Sequence, residues 1–192
     1  SIYIISLCAL AFLILIQFNL FTIILGLGSM ILAFTYPFMK RITYWPQLFL
    51  GLTFNWGIIM AWAAVNNNIS HEIIALYISA IFWTLGYDTI YGAQDMKDDE
   101  IIGVKSTSIK FKENMKVFVS SSYFLTLIIL GYLFNNELGI NMLSFFFILF
   151  AISLLFQLIL FEQTKPDKCL MAFKMNNFSG LILFLGILSK NL

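Results

Sequence analysis

Seven apolar runs fill most of this 192-residue chain, at roughly 1–18, 20–39, 47–65, 72–92, 115–134, 142–162 and 169–189. Each is close to the about 20 residues of helix that cross a bilayer's hydrocarbon core. In lipid, every backbone N–H and C=O must find its partner inside the protein, which restricts spanning segments to helices or a closed barrel. Unbroken runs of this length, without strict alternation, select the helix. The composition leaves no other home for them: 60% of residues are hydrophobic, 11% are charged and the mean hydropathy is +0.90, more apolar surface than a water-soluble core of this size hides. A net charge of +1 gives no case for nucleic acid. The expected fold is therefore all-α, a multi-pass bundle of seven transmembrane helices in one domain over 1–192, with the lipid bilayer as its solvent.

The breaks are short and carry turn residues: Asn19, the 40–46 segment, Asn66 to Asn68, the 135–141 segment with Gly139, and Thr164 to Asp167. Only the fourth connection, roughly 93–114, is long. Basic residues alternate from loop to loop. Lys40 and Arg41 lie in the second, Lys97, Lys105, Lys110, Lys112 and Lys116 in the fourth, and Lys165, Lys168 and Lys174 in the sixth, which puts ten of the eleven on one side. The positive-inside rule makes that side cytoplasmic, so the chain is expected to start inside and end outside. Cys8 and Cys169 sit in different helices and read as free, packing thiols. His71 has no partner cluster and is not expected to be a ligand.

Four of the chain's five aspartates fall between Asp88 and Glu100. If the fourth helix continues through this stretch, Asp88, Asp95 and Asp99 lie within roughly 20° of one another on one face, with Thr84 and Tyr91 beside them. Carboxylates at such spacings repel, which suggests a positive charge between them. Oxygen-only ligands suit Mg²⁺, which typically combines one or two carboxylates with waters and a substrate phosphate. A solvated acidic loop at the membrane surface fits the same spacing.

Asn55, Asn176 and Asn177 lie inside the third and seventh runs, all roughly 12 Å from the cytoplasmic side. Amides at such positions commonly join helices; their shared depth also fits a polar cavity opening inward. Glu162 ends the sixth run. Between Tyr36 and Gln47, two prolines frame a rigid turn whose charges are Lys40 and Arg41. These serve as a positive-inside anchor or as an anion-capturing pair, since Arg can fork two bonds onto a carboxylate or phosphate. Lys105-Ser106-Thr107 lacks the glycine spacing of a phosphate loop, and Ser106 or Thr107 instead caps a short basic segment running to Lys116.

Taken together, Tyr36-Pro-Phe-Met-Lys-Arg41-x-Thr-x-x-Pro-Gln-x-x-Leu-Gly51, Tyr87-Asp-Thr-x-Tyr91 with Asp95-x-x-Asp98-Asp99, Ile102-Gly-x-Lys-Ser-Thr107, Phe173-x-Met-Asn-Asn177 and Gly180-Leu-x-Leu-Phe-Leu-Gly186 closely resemble the UbiA superfamily of intramembrane prenyltransferases. The resemblance covers essentially the whole chain, and the Tyr36 to Arg41 block favours the branch that serves ubiquinone biosynthesis. It implies a bacterial inner-membrane enzyme transferring a polyprenyl group from polyprenyl diphosphate to 4-hydroxybenzoate, ortho to the hydroxyl, with Mg²⁺. It also implies roles: Asp95, Asp99 and Arg41 catalytic; Asp95 and Asp99 on the metal with Asp88 and Asp98 as neighbours; Lys40, Arg41, Tyr36, Tyr91, Asn55, Asn176 and Asn177 on the substrates. Members of the superfamily have nine transmembrane helices and a first motif of the form Asn-Asp-x-x-Asp-x-x-x-Asp. That motif does not occur in these 192 residues, so the seven runs correspond to the family's third to ninth helices and the chain alone is expected to be inactive. The alternatives are a related prenyltransferase using another aromatic acceptor and, from a different class, a multi-helix transporter, whose site is expected near the bilayer midplane at broken helices rather than at one charged mouth.

Overall fold

The structure, a computed structural model, describes residues 2–189. It is helical throughout: α1 (Ile2–Leu15), α2 (Leu20–Ile42), α3 (Pro46–Phe54), α4 (Trp56–Asn66), α5 (His71–Gln94), α6 (Met96–Ile102), α7 (Thr107–Lys110), α8 (Met115–Leu133), α9 (Met142–Leu160), α10 (Pro166–Lys174) and α11 (Asn176–Ser189), with no strand among the described residues. Six spans of 19–24 residues are long and apolar enough to cross a membrane, α3 with α4 and α10 with α11 each forming one. The chain is an integral membrane protein. The first expected span is shorter than the apolar run: α1 covers 14 residues and stops at Leu15. Asn19 is the cause. Its Oδ1 accepts from Thr22 N at 2.9 Å and starts α2, while its Nδ2 donates to the Ala63 and Ala64 carbonyls of α4, so the chain must turn before it.

Two spans that read as continuous in sequence are interrupted. One stops at Asn55, whose backbone (φ −86°, ψ 0°) serves both α3 and α4. The other stops at Met175, between α10 and α11. In lipid the backbone groups freed by a break need new partners, and both breaks have them. The Tyr77 hydroxyl of α5 donates to Leu52 O at 2.7 Å, and Asn176 Nδ2 donates to Phe173 O at 3.0 Å.

The bundle is built around α5, which packs on α8, α10, α3 and α4. Half of its spanning window is buried, against 11% for α2, and two close crossings explain how. A Cβ on Gly86 would lie only 2.7 Å from Tyr123 Cδ1, so the missing side chain is what lets that ring lie on α5; Gly51 lets α3 approach the Ile81 backbone in the same way. Along the α8 and α9 side, Met115, Val119, Tyr123, Phe150 and Leu154 fill one apolar core.

At the charged end, the 103–108 segment is pinned by hydrogen bonds. Lys105 N donates to Lys40 O at 2.7 Å, Thr107 N to Gln47 Oε1 at 3.0 Å and Ser108 Oγ to Thr89 O at 2.8 Å, and the Thr89 and Thr107 hydroxyls share a bond of 2.7 Å. Ser106 caps α7 through Ile109 N. The expected cap is there, but the helix it starts ends at Lys110 rather than Lys116, where the stacked rings of Phe111 and Phe118, 3.9 Å apart, turn the chain into α8. Cys8 and Cys169 are both free; Cys169 is buried in the core while Cys8 is exposed.

Candidate functional site: an acidic mouth above a polar cavity

The expected continuous helix through the aspartates does not form. α5 ends at Gln94 and the backbone leaves helical geometry at Asp95 (φ −98°, ψ 1°) before α6 begins. The reason is Met96, which is buried in the same apolar core as Met115 and Ala93; drawing it inward bends the chain and leaves its neighbours Asp95, Lys97 and Asp98 exposed. Asp88 therefore belongs to α5, and Asp98 and Asp99 to the first turn of α6, where the helix dipole favours negative charge. Gly103 closes α6 in the left-handed conformation (φ 78°), its N–H returning to Asp99 O and Glu100 O.

The mouth carboxylates lack partners of their own. Asp95 occupies an N-cap position yet makes no side-chain cap bond, an unusual omission for a residue type preferred there. The ion pairs among the described residues join Lys112 to Glu100 and Lys165 and Lys168 to Glu162, and none takes Asp88, Asp95, Asp98 or Asp99. The Lys105–Lys40 backbone bond brings the C-terminal end of α2 beside this stretch. Lys40 is the cation that acts on half-buried Asp88, and Tyr36 feels the same carboxylate. Lys40 and Arg41 are themselves exposed. No three carboxylate, imidazole or thiol groups converge on a metal position among the described residues. A closed protein cage is thus absent, and the donors suit a hard cation that takes its remaining oxygens from water and a phosphate. Glu162, outside the spans, has a carboxyl lowered to about 2 by its bonds to Lys165 and Lys168.

Deeper in the bundle, the three asparagines meet as their depth suggested. A cavity of about 320 Å³ is lined by Phe54, Asn55, Trp83, Thr84, Tyr87, Phe173, Lys174, Asn176 and Asn177, so both helix breaks open onto it. Asn55 Nδ2 is shared between Gly51 O and Thr84 Oγ1 (2.8 Å), while its Oδ1 takes no hydrogen bond among the described residues. Asn177 is exposed. Asn176 is committed to the protein: its Oδ1 accepts from Trp83 Nε1 at 3.1 Å and Gln157 Nε2 at 3.2 Å. A ladder of rings leads from the cavity toward the mouth, with Trp83 on Tyr87 (6.2 Å), Tyr87 on Phe173 (5.9 Å) and Phe173 on Tyr91 (4.7 Å).

Trp83, Lys174 and Gln157 were missed by sequence reasoning, and Thr84, expected beside the aspartates, lines the cavity and bonds to Asn55 instead. Trp83 and Gln157 read as ordinary members of apolar runs, and Lys174 as a loop charge. A polar side chain within a run was the available signal, and it was followed for asparagine alone.

An all-helical membrane bundle, with a polar cavity between its two interrupted spans and aspartates strung along the end of α5 and the start of α6, defines the class. The match to known proteins is more particular. Residues 1–179 match the model of the UbiA prenyltransferase family, and the chain belongs to that family. Its relatives include the mitochondrial 4-hydroxybenzoate polyprenyltransferases of Bos taurus, 43% identical over 93% of this chain and 48% of the relative, and of Homo sapiens, 42% identical over the same shares. The 4-hydroxybenzoate octaprenyltransferase of Hydrogenovibrio crunogenus is 37% identical over 97% of this chain and 65% of its own length. The chain thus spans about half the length of the mitochondrial relatives. Among solved structures, a UbiA homolog from Aeropyrum pernix K1 in its apo form superposes with a TM-score of 0.76 at 20% identity, over 93% of this chain and 67% of the other. A digeranylgeranylglyceryl phosphate synthase superposes with 0.70 at 16%, over 93% and 64%. Both share the fold.

Proposed function

We propose that this chain is the part of a 4-hydroxybenzoate polyprenyltransferase that holds the diphosphate of the prenyl donor and the polar cavity below it. The reaction is transfer of a polyprenyl group from polyprenyl diphosphate to the ring carbon ortho to the hydroxyl of 4-hydroxybenzoate, a step of ubiquinone biosynthesis. Its setting is the bacterial inner membrane with the mouth toward the cytoplasm, the side to which the basic loops point. The observation that carries the reading is the set of unpaired carboxylates at one end of an apolar-walled cavity. Charges left without protein partners at a membrane mouth are best explained by a ligand of opposite charge, and a diphosphate reaches carboxylates only through a cation.

Asp95 and Asp99, with Asp88 and Asp98 beside them, would hold Mg²⁺. That ion supplies neutralisation of the charge that builds on the departing diphosphate. Lys40, the cation that acts on Asp88, and Arg41 beside it in the last turn of α2 would pair with the diphosphate or with the acceptor's carboxylate. Tyr36 and Tyr91 flank the two anions. The Asn55 Oδ1, free of protein donors, accepts from the acceptor's hydroxyl, and Asn177 offers a second amide. As the C1–O bond breaks, its electron pair leaves with the diphosphate; the ring carbon bonds to C1 and releases its proton, and the aromatic lining keeps water from the allylic cation in between.

The interrupted α3–α4 and α10–α11 spans favour a second reading, since transporters place sites at broken helices. Here the carboxylates stand at one end rather than at the breaks, and the family is one of transferases. The test is an assay of membranes carrying the chain, extended at its N-terminus by the segment the family resemblance implies, with labelled polyprenyl diphosphate and 4-hydroxybenzoate. Mg²⁺-dependent labelling of the acceptor is expected. Labelling of another phenolic acid alone would move the acceptor, and uptake of label into vesicles without transfer would replace the enzyme by the transporter.

A further inference from the structure

The polar floor of the cavity is a single hydrogen-bond chain whose direction is set from one end. An indole N–H can only donate, and Trp83 Nε1 donates to Asn176 at 3.1 Å. The Asn176 atom facing it is therefore the oxygen, and Nδ2 turns to the Phe173 carbonyl released by the helix break, at 3.0 Å. The same Oδ1 faces Gln157 at 3.2 Å, so the Gln157 atom there must be Nε2. Its second hydrogen goes to Ser179 Oγ at 2.9 Å. Gln157 Oε1 is left toward Tyr123, whose hydroxyl must donate, at 2.6 Å. Gln157 is fully buried and Tyr123 nearly so, so water does not compete for the bond between them, while Asn176 and Trp83 line the cavity. Four spans, α5, α8, α9 and α10–α11, meet in this chain, and each amide in it has one permitted orientation.

What the chain holds at its far end is the Trp83 ring. Tyr87 and Phe150 pack against Trp83 edge to face, at 6.2 and 5.1 Å, and its Cη2 rests over Gly180, 3.5 Å from where a Cβ would stand. Among the cavity's aromatic residues, Trp83 is the one tied by its own polar atom to the opposite wall. It lies five residues deeper than Asp88 on α5, about 7.5 Å along the axis, beyond the reach of the diphosphate and level with the first carbons of an attached apolar chain. Tryptophan also presents the aromatic face that best attracts a cation.

We propose that Gln157 is a positioning residue: by fixing the Asn176 amide it locks the Trp83 indole as the wall against which the allylic end of the prenyl donor packs. This rests on the transferase reading for its substrate but not for its geometry. A glutamate at 157, while protonated as burial favours, still donates to Asn176 Oδ1; once ionised it sets a carboxylate oxygen there. On ionisation the Asn176 amide flips and presents Nδ2 to Trp83, two donors face to face, and the ring is released. A phenylalanine at 123 removes the last donor but leaves Gln157 Nε2 bonded to Asn176 and Ser179, so the direction of the chain survives.

The experiment compares natural protein, Gln157→Glu and Tyr123→Phe by the indole ¹⁵N–¹H resonances of labelled protein, with Trp83→Phe assigning the signal. The same variants, carried in the N-terminally extended protein of the transfer assay, are then assayed for the donor's KM and for kcat. Above the pH at which its carboxyl ionises, Gln157→Glu is expected to shift the Trp83 resonance to that of an unbonded indole and to raise the donor's KM by about tenfold, the scale of one buried hydrogen bond, with the acceptor's KM unchanged. Tyr123→Phe keeps the bonded resonance while lowering the melting temperature. A Trp83 resonance that stays bonded in Gln157→Glu at every pH at which the protein is folded, or that is lost equally in both variants, overturns the directional chain. A shifted resonance with an unchanged donor KM overturns the packing role. If the N-terminally extended protein transfers no prenyl group, the transferase reading is defeated and the resonance result stands or falls alone.

Discussion

The mouth and the floor of this molecule use polar residues in opposite ways. On the floor, Tyr123, Gln157, Asn176, Ser179 and Trp83 satisfy one another across four spans. At the mouth, Asp95, Asp98 and Asp99 make no ion pair among the described residues, and Asp95 forgoes even the cap bond its position offers. A buried polar group without a partner costs free energy, so the floor had to be closed for the bundle to be stable. An exposed carboxylate bears no such cost and can be left open for a ligand. Polar residues that are paired with each other hold this fold; those that are not are candidates for chemistry.

The comparison breaks most visibly if mouth and floor respond alike to substitution. Asp95→Asn with Asp99→Asn is expected to lower prenyl transfer by about a hundredfold or more, since the leaving charge loses its counterion, while the melting temperature stays where it was. A large fall in melting temperature, measured by tryptophan fluorescence, would show that these carboxylates support the fold instead. Gly86→Ala should do the reverse. The new methyl meets the Tyr123 ring, which cannot move without giving up Gln157, and overpacking of this kind costs roughly 1–3 kcal/mol. Thermal unfolding is the readout, and activity should fall only in step with the folded fraction.

Smaller effects sharpen the boundary between the two regions. Thr107→Val removes the hydroxyl shared with Thr89 and is expected to cost about 1 kcal/mol, which chemical unfolding can measure. Arg41 stays out of this bond, so its own substitution should change a Michaelis constant instead. The smallest effect belongs to Glu162. Its folded carboxyl is lowered to about 2, so the clamp on Lys165 and Lys168 is fully present above the ordinary carboxylate range near 4.5 and is lost as pH falls toward 2. Because the group is exposed, Glu162→Gln should lower the melting temperature only slightly at pH 7, and the gap should close by pH 2. A gap that widened in acid would reverse the sign.

The spans were legible because a transmembrane helix satisfies its backbone within itself, and length and hydropathy suffice to find it. The asparagines could be placed at one depth for the same reason, the rise per residue being fixed. The interruptions were not legible. Asn55 breaks its span with a partner on α5, Thr84, and Asn176 with partners on α5 and α9; neither partner is near in sequence. The bend at Asp95 depends on where Met96 finds a buried place, and the helical register drawn through Asp88, Asp95 and Asp99 overlooked it. Tyr36 to Arg41 and the aspartates were read together from motif alone, and the Lys105–Lys40 bond is the contact that brings the two stretches side by side.

The central claim, that the open carboxylates serve a cation-bound diphosphate, is tested most directly by binding rather than turnover. A short prenyl diphosphate would be titrated by calorimetry onto the protein in nanodiscs, with Mg²⁺ and with EDTA, for the natural sequence and for Asp95→Asn with Asp99→Asn. The account predicts binding that needs Mg²⁺ and weakens by about tenfold or more, some 1.4 kcal/mol, when either the metal or the two carboxylates are removed. Equal affinity in EDTA, or in the double variant with Mg²⁺ present, would contradict it.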